Sequence, residues 1–373
     1  MTPLLELRGA TVRHHRRTVL DIPALALQAG ERLAVMGPNG SGKSTLLRTL
    51  ALLEPLTTGA VLFRGEVPER LQRLAVRRQM ASVFQASLLC DTTVYRNVAL
   101  GLRFRGHPRA ESDRRIGHWL GRLGIAGLAS RSARTLSGGE AQRASLARAF
   151  VVAPEVLFLD EAFGALDAPT REALLLDIEA ILRDSSVTAV FATHERAEAQ
   201  LLADRVVILL DGRIAQVGAP ATVFGTPATE EVARFVGFEN ILPARVLAAN
   251  AGTMDVEVSG VLMRARGSGV PAESGVVCIR AEDIRLSRSG SVHLVSDRAT
   301  LLSGAVRRIV PMGGAFRIHM DLGFELGALV SRHMAEALAL IVGDSVCATV
   351  PASAVHFIAA PTRAQRLPSS SVA

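Results

Sequence analysis

Gly37-Pro38-Asn39-Gly40-Ser41-Gly42-Lys43-Ser44-Thr45 is the stretch on which the reading of this chain turns. Its first eight residues fit the pattern G-x-x-x-x-G-K-[ST], in which glycines let backbone N–H groups wrap a phosphate. Arg32 to Met36, just before it, is an apolar run that reads as a strand, and leucines at 46, 47, 50 and 53 follow at helical spacing. Strand, glycine-rich loop, helix is the order phosphate binding requires, because the helix then aims its positive end at the anion. Lys43 is the only lysine in the chain; every other strongly basic residue is arginine. A compact ammonium suits such a loop and a planar guanidinium does not, while the Ser44 hydroxyl is placed to ligate Mg²⁺ beside the β- and γ-phosphates.

Outward from this loop, strand-like and helical stretches alternate. Leu4 to Val12 alternates apolar and polar residues, and further strand-like runs stand at Val156 to Leu159, Val187 to Ala192 and Val206 to Leu210. Such alternation implies a largely parallel sheet covered on both faces. Between Ala86 and Val152 the texture is helical, with apolar residues at helical spacing in Tyr95 to Phe104 and Arg114 to Leu123, and reads as an insertion on that core. From Gly237 onward the runs become short, β-like and glycine-broken: Ala244 to Leu247, Met254 to Val258, Val261 to Arg266, Val276 to Arg280, then Gly304 to Val310, Ala315 to Asp321 and Val346 to Val350. Two compact OB-like barrels are expected, over 237–290 and 296–358, joined near Leu286 to Ser296, with a disordered tail at 361–373.

Two further stretches carry chemistry. Val156 to Leu159 ends in Asp160 and Glu161, two carboxylates at the mouth of a buried strand. Asp160 is placed to hold Mg²⁺, directly or through water, and Glu161 to orient or deprotonate an attacking water. The second stretch is Leu136-Ser137-Gly138-Gly139-Glu140. Ser137 with Glu140 three residues on is a capping box, and two glycines leave backbone N–H groups bare for an anion.

Here the sequence resembles the ABC ATPases, strongly over Leu4 to Phe238. The resemblance implies an α/β P-loop ATPase domain over 1–236 with a helical subdomain at about 86–152. It implies a head-to-tail homodimer in which Leu136 to Glu140 grips the γ-phosphate of ATP held by the partner's phosphate loop. Family positions match residue by residue: Gln85 couples the Mg²⁺ site to membrane subunits, Asp167 after Ala165-Leu166 lies in the dimer-contact loop, and His194 is the γ-phosphate switch. Two departures stand out. The aromatic that stacks on adenine falls at His14 or neighbouring His15, and Ala162 replaces the proline usual after the catalytic glutamate. Imidazole is a smaller stacking platform, and losing the proline removes a backbone restraint without touching the chemistry.

Composition narrows the rest. The 373-residue chain has net charge +7, and its arginines are spread along it without the aromatic interleaving that stacks bases, so a nucleic-acid partner is not expected. No run of eighteen apolar residues occurs and Met1 to Val12 is not organised as a signal peptide, so the chain is expected to stay in the cytoplasm and not to span a bilayer; the family resemblance then implies a peripheral subunit at the cytoplasmic face of the membrane. Cys90, Cys278 and Cys347 lack metal-type or disulfide spacing.

Tyr95-Arg96-Asn97-Val98, Gly101-Leu102 and the β-rich extension look like importer ATPases, which work with separate permease subunits and an extracytoplasmic solute-binding protein. Phe235 to Pro243 and Cys278 to Ile284 resemble the accessory domains of importers for oxyanions, polyamines and ferric ion. Ser296 to Ile358 resembles the small barrel that binds molybdate or tungstate. Ala299, Met334 and Pro351 stand where that family tends to have asparagine, serine and lysine, leaving Arg298, Ser331 and Ser353 as oxyanion contacts. The resemblance thus points first to tungstate or molybdate, with sulfate, ferric ion or polyamine as alternatives, and equally to a barrel that only braces the dimer. A soluble ABC ATPase clamping nucleic acid or ribosomes, or an oxyanion-sensing regulator, are the rival classes.

Overall fold

A computed structural model describes residues 2–250, 253–266, 273–288 and 299–360. The chain divides into two units, Met1–Val223 and Phe224–Ala373. The expected tail at 361–373 and the joint from 289 lie outside the described residues.

In the first unit the hairpin β1 (Leu5–His14) and β2 (Arg17–Leu27) precedes β3 (Arg32–Met36), helix α1 (Lys43–Leu50) and β4 (Thr58–Phe63). Helix α2 (Arg73–Arg77) leads into β5 (Met80–Phe84), and the helices α3 (Val94–Phe104), α4 (Arg109–Arg122) and α5 (Gly138–Phe150) follow. Then come β6 (Val156–Asp160), α6 (Ala168–Arg183), β7 (Thr188–Thr193), α7 (Arg196–Leu202), β8 (Arg205–Leu210) and β9 (Arg213–Gly218). One antiparallel sheet runs β2-β1-β4; the other runs β5-β6-β7-β3-β8-β9, parallel except for the last strand.

The parallel strands read as continuous apolar runs because both faces are covered: every residue of β6 and β7 is buried. Parallel pairing has a consequence for chemistry. In the order β5-β6-β7-β3 all four strands end at the same edge, so Gln85, Asp160-Glu161, His194 and the glycine loop are brought together there from positions spread over 158 residues of sequence. The expected strands lie where the patterns put them. The sequence pattern does not single out the hairpin strand β2, because Pro23 and a mixed apolar order blur its period; its partner β1 supplies the register, from Leu5 against Leu27 to His14 against Arg17.

The helical region is held by its own small core. Phe150, 2% exposed, stacks on Trp119 with ring centroids 4.7 Å apart and planes 14° from parallel. Aromatic pairs of this kind add to the burial of their area.

The second unit opens with the end of α8 (Pro220–Gly225) and α9 (Glu230–Phe235), ahead of the expected boundary at 236/237. The reason is Arg280. Its buried guanidinium donates to the backbone oxygens of Phe224 at 2.6 Å and Val236 at 3.0 Å, and lies over the Phe238 ring at 4.2 Å. These bonds fasten the helical lead-in to the β structure that follows. That structure comprises β10 (Asn240–Asn250), β11 (Thr253–Val258), β12 (Val261–Arg266), β13 (Ser274–Ile279), β14 (Arg285–Arg288), β15 (Ala299–Met312), β16 (Ala315–Asp321), β17 (Glu325–Ser331), α10 (Arg332–Leu338), β18 (Ser345–Pro351) and β19 (His356–Ala359).

The two β layers are not consecutive in sequence. The barrel is β10-β11-β12-β19-β13, so the last strand returns to close the first barrel, while β14-β18-β15-β16-β17 form a five-stranded sheet. Asn240 joins them. Its buried amide donates to Ile279 O at 3.2 Å and Gly327 O at 2.9 Å and accepts from Gly327 N at 2.7 Å. An apolar side chain there would leave buried backbone groups unpaired.

The sole tryptophan lies in this helical core, so its fluorescence reports on that region alone. We expect Phe150→Ala to cost about 3–5 kcal/mol, as large-to-small core changes do. Urea unfolding followed by Trp119 emission should show an earlier midpoint and a red-shifted native spectrum.

Candidate functional site

Phosphate loop and cleft begin where β3 ends. Gly42 sits at φ +103°, a conformation that side-chain-bearing residues rarely adopt, and a Cβ there would lie 2.9 Å from the Val19 carbonyl oxygen. At Gly37 a Cβ would fall 2.2 Å from Leu209 O. Glycine at these two points lets the backbone turn inward against β2 and β8. Helix α1 then starts at Lys43 with no side chain capping it and no acidic residue in its first turn, so its N–H groups face the cleft unopposed.

Lys43 is 5% exposed. Its Nζ donates to Gly37 O at 3.0 Å and Pro38 O at 3.2 Å, and stands 3.3 Å from Glu161 Oε1. The Ser44 hydroxyl donates to Asp160 Oδ1 at 2.9 Å. Burial pushes the Asp160 carboxyl above its usual range, and the Ser44 hydrogen bond works against that shift. Hydroxyl and carboxylate together form the hard oxygen pair that suits Mg²⁺, and the buried ammonium suits phosphate oxygens. Both groups thus fit ATP with its metal.

Glu161 has φ +48°, in the left-handed region where a residue of its size is strained, typically by about 1–3 kcal/mol. The backbone turn directly after β6 aims its carboxylate at Lys43 rather than along the strand. Beyond it, His194 Nδ1 is 4.0 Å from Glu161 Oε1. Gly40, Gly42, Lys43, Ser44, Thr45, Asn39, Gln85, Asp160 and Glu161 line one open cleft of about 740 Å³, together with Val19 and Arg48. Pro38 and Ser41 complete the loop, the Ser41 N–H donating to Pro38 O at 3.2 Å.

His14, expected at the adenine, ends β1 with its Nε2 3.0 Å from Glu54 Oε1 and half its side chain exposed. Ala162 is buried immediately after Glu161.

Ser137 caps α5: its hydroxyl accepts from Glu140 N at 3.3 Å, and its own N–H donates to Glu140 Oε2 at 2.7 Å. Those bonds hold the Glu140 carboxyl below its usual range. Leu136 precedes the cap, and Gly138 and Gly139 open the helix; a Cβ at Gly139 would lie 2.8 Å from Thr170 Cγ2. Asp167 caps α6 by accepting from Thr170 N at 3.1 Å. Both caps lie outside the cleft lining.

Of the three expected oxyanion contacts, two lie among the described residues. Ser331 caps α10, its hydroxyl oxygen accepting from Met334 N at 3.3 Å, Ser353 lies in the short turn Ala352–Ala354, and Arg298 is outside the described residues. Sequence reading singles out neither Arg171 nor Glu195, although both stand beside motif residues: one helical turn past Asp167, and directly after His194. Among the described residues no helix is long and apolar enough to cross a membrane, and no group of three or more His, Cys, Asp or Glu gathers for a metal.

A charge-conserving change tests the cleft. Lys43→Arg keeps the positive charge but exceeds the space between Gly37 O and Pro38 O, so ATP affinity should fall by at least about tenfold with the fold intact. Fluorescent-nucleotide titration alongside circular dichroism checks this.

Residues 20–164 match the family model described as ABC transporter, and residues 277–358 match the TOBE domain. An Fe(3+) ions import ATP-binding protein of Streptomyces coelicolor is 40% identical over 332 residues, 85% of this chain and 95% of that protein. A sulfate/thiosulfate import ATP-binding protein of Mycobacterium tuberculosis is 37% identical over 355 residues, 93% of this chain and 92% of that one. A spermidine/putrescine import ATP-binding protein of Nitratidesulfovibrio vulgaris is 38% identical over 288 residues, covering 76% and 77%. Among solved structures, CbiO1 from Clostridium perfringens, part of the ABC transporter complex CbiONQ, aligns with TM-score 0.56 and 27% identity over 63% of this chain and 95% of that one. With its phosphate loop, carboxylate pair and terminal β unit accounted for, the chain belongs to the ATP-binding subunits of ABC importers that carry a TOBE domain, transport ATPases that hydrolyse ATP.

Proposed function

We propose that this chain is the motor of an importer, working as a homodimer at the cytoplasmic face of the membrane with separate permease subunits and a solute-binding protein. The observation that carries the reading is the pairing of Ser44 with Asp160 and of Lys43 with Glu161 in one cleft. In it, Lys43 and the N-terminus of α1 receive the β- and γ-phosphates, while Ser44, Asp160 and Gln85 hold Mg²⁺. The metal, when bound, neutralises charge that gathers on the phosphate oxygens. Glu161 orients the attacking water and accepts its proton, and His194 contacts the γ-phosphate from the β7 side. Bare N–H groups at Gly138 and Gly139, behind the Ser137 cap, suit the γ-phosphate of ATP held by the second subunit, with Asp167 at the contact loop; hydrolysis then releases the pair.

The solute classes that the relatives' names support are ferric ion, sulfate or thiosulfate, and polyamine. Tungstate or molybdate, the first expectation from residues 296–358, finds no counterpart among these three relatives. Those names support an importer motor for a small ion of these classes. ATPase stimulation by each solute, with the permease and binding protein present, distinguishes them.

Glu161→Gln still binds ATP but cannot take the proton, so turnover should fall by about 100-fold or more while an ATP-dependent dimer accumulates on size-exclusion chromatography. Unchanged turnover overturns the role. Purification with its genomic neighbours should recover a polytopic membrane protein; recovery of ribosomes or DNA in its place favours the nucleic-acid class.

A further inference from the structure

Between the loop Ala165 to Asp167 and the imidazole of His194 lies a bridge that no motif contains. Arg171 stands one turn into α6. Its Nη2 donates to Leu166 O at 3.0 Å, and its Nη1 donates to Glu195 Oε1 at 3.4 Å. The same Glu195 oxygen is 3.8 Å from His194 Nε2. On its other side, His194 Nδ1 is 4.0 Å from Glu161 Oε1, which is 3.3 Å from Lys43 Nζ. Basic and acidic groups thus alternate in a row of five side chains from the end of the Asp167 loop to the phosphate loop.

The middle of this row is held from behind. Glu195 N–H donates to Thr193 Oγ1 at 3.0 Å, and the Thr193 hydroxyl donates to the buried Glu198 carboxyl at 2.6 Å. Arg171 Nε is buried without a hydrogen-bond partner among the described residues, so its two Nη bonds alone set the guanidinium. With side chains 27% and 44% exposed, the Arg171–Glu195 pair adds little to stability. Its consequence is geometric. A planar fork that grips a loop carbonyl with one arm and a carboxylate with the other moves the two together, as a flexible ammonium would not.

We propose that Arg171 and Glu195 are positioning residues for hydrolysis: they set the imidazole of His194 and tie that setting to the loop ending at Asp167. The proposal rests on the roles given above to His194 and Glu161. When the Asp167 loop meets a second subunit, displacement of the Leu166 carbonyl carries Arg171, then Glu195, then the imidazole. Hydrolysis becomes sensitive to the contact because misplacing a reacting group by about 1 Å is costly.

Steady-state ATPase kinetics of the full chain test this. Arg171→Ala and Glu195→Gln should each lower kcat about tenfold with KM for ATP within about twofold and an unchanged thermal midpoint. Arg171→Lys, which reaches one partner only, should fall between. In a His194→Ala background, Arg171→Ala should lower kcat no further, because both act through one imidazole. Unchanged kcat in Arg171→Ala beside a slow His194→Ala overturns the proposal alone. Losses that multiply in the double variant, or a lowered thermal midpoint with kcat and KM shifting together, also overturn it. A His194→Ala chain of full activity overturns the role of His194 and the proposal with it.

Discussion

A buried cation organises the first unit. Lys43 is almost wholly removed from water, and a charge so placed is tolerated only with partners close on every side. Here the partners are Gly37 O, Pro38 O and Glu161. Two of them require backbone turned inward, which glycine permits; the third requires Glu161 to adopt a strained conformation at a strand end. A phosphate arriving at the helix N-terminus offers that ammonium a stronger partner than a carbonyl. On the role proposed for Glu161, the same exchange frees its carboxylate to face water, coupling substrate binding to activation of the nucleophile through one side chain.

Polar contacts also decide the second unit. Its apolar core runs from Ala244 to Phe357, yet hydrophobic contact alone specifies neither which strand closes the barrel nor where the unit begins. Arg280 answers the second question by satisfying carbonyls at the ends of two short helices, and Asn240 fastens barrel to sheet through three hydrogen bonds. Buried, fully paired groups of this kind exclude alternative packings, since any shift leaves a donor or acceptor without a partner.

The relatives carry solutes of opposite charge and very different size, from ferric ion and sulfate to polyamines. A motor shared among them need not read the solute. Its cleft is built for phosphate and hard oxygen chemistry, and the row from Arg171 to Lys43 links that chemistry to a surface loop rather than to any solute pocket.

Local chemistry explains what could be read directly. The phosphate loop, the capping box at Ser137 and the acids at Asp160 and Glu161 are each contiguous; the loop is legible by spacing alone, the other two gain their meaning beside it, and the strands of the parallel sheet read as apolar runs except β5, which Ser82 interrupts. Gln85 and His194 needed family order to be noticed, because a single glutamine or histidine carries no pattern of its own. What tertiary structure decided was adjacency. Parallel pairing in the order β5-β6-β7-β3 gathers Gln85, Asp160, Glu161, His194 and the phosphate loop at one edge, β19 crosses back to close a barrel begun more than a hundred residues earlier, and Arg171 meets Glu195 across 24 residues. Such meetings depend on strand order and on which backbone carbonyls remain to be satisfied, and neither is encoded in the period of any one segment.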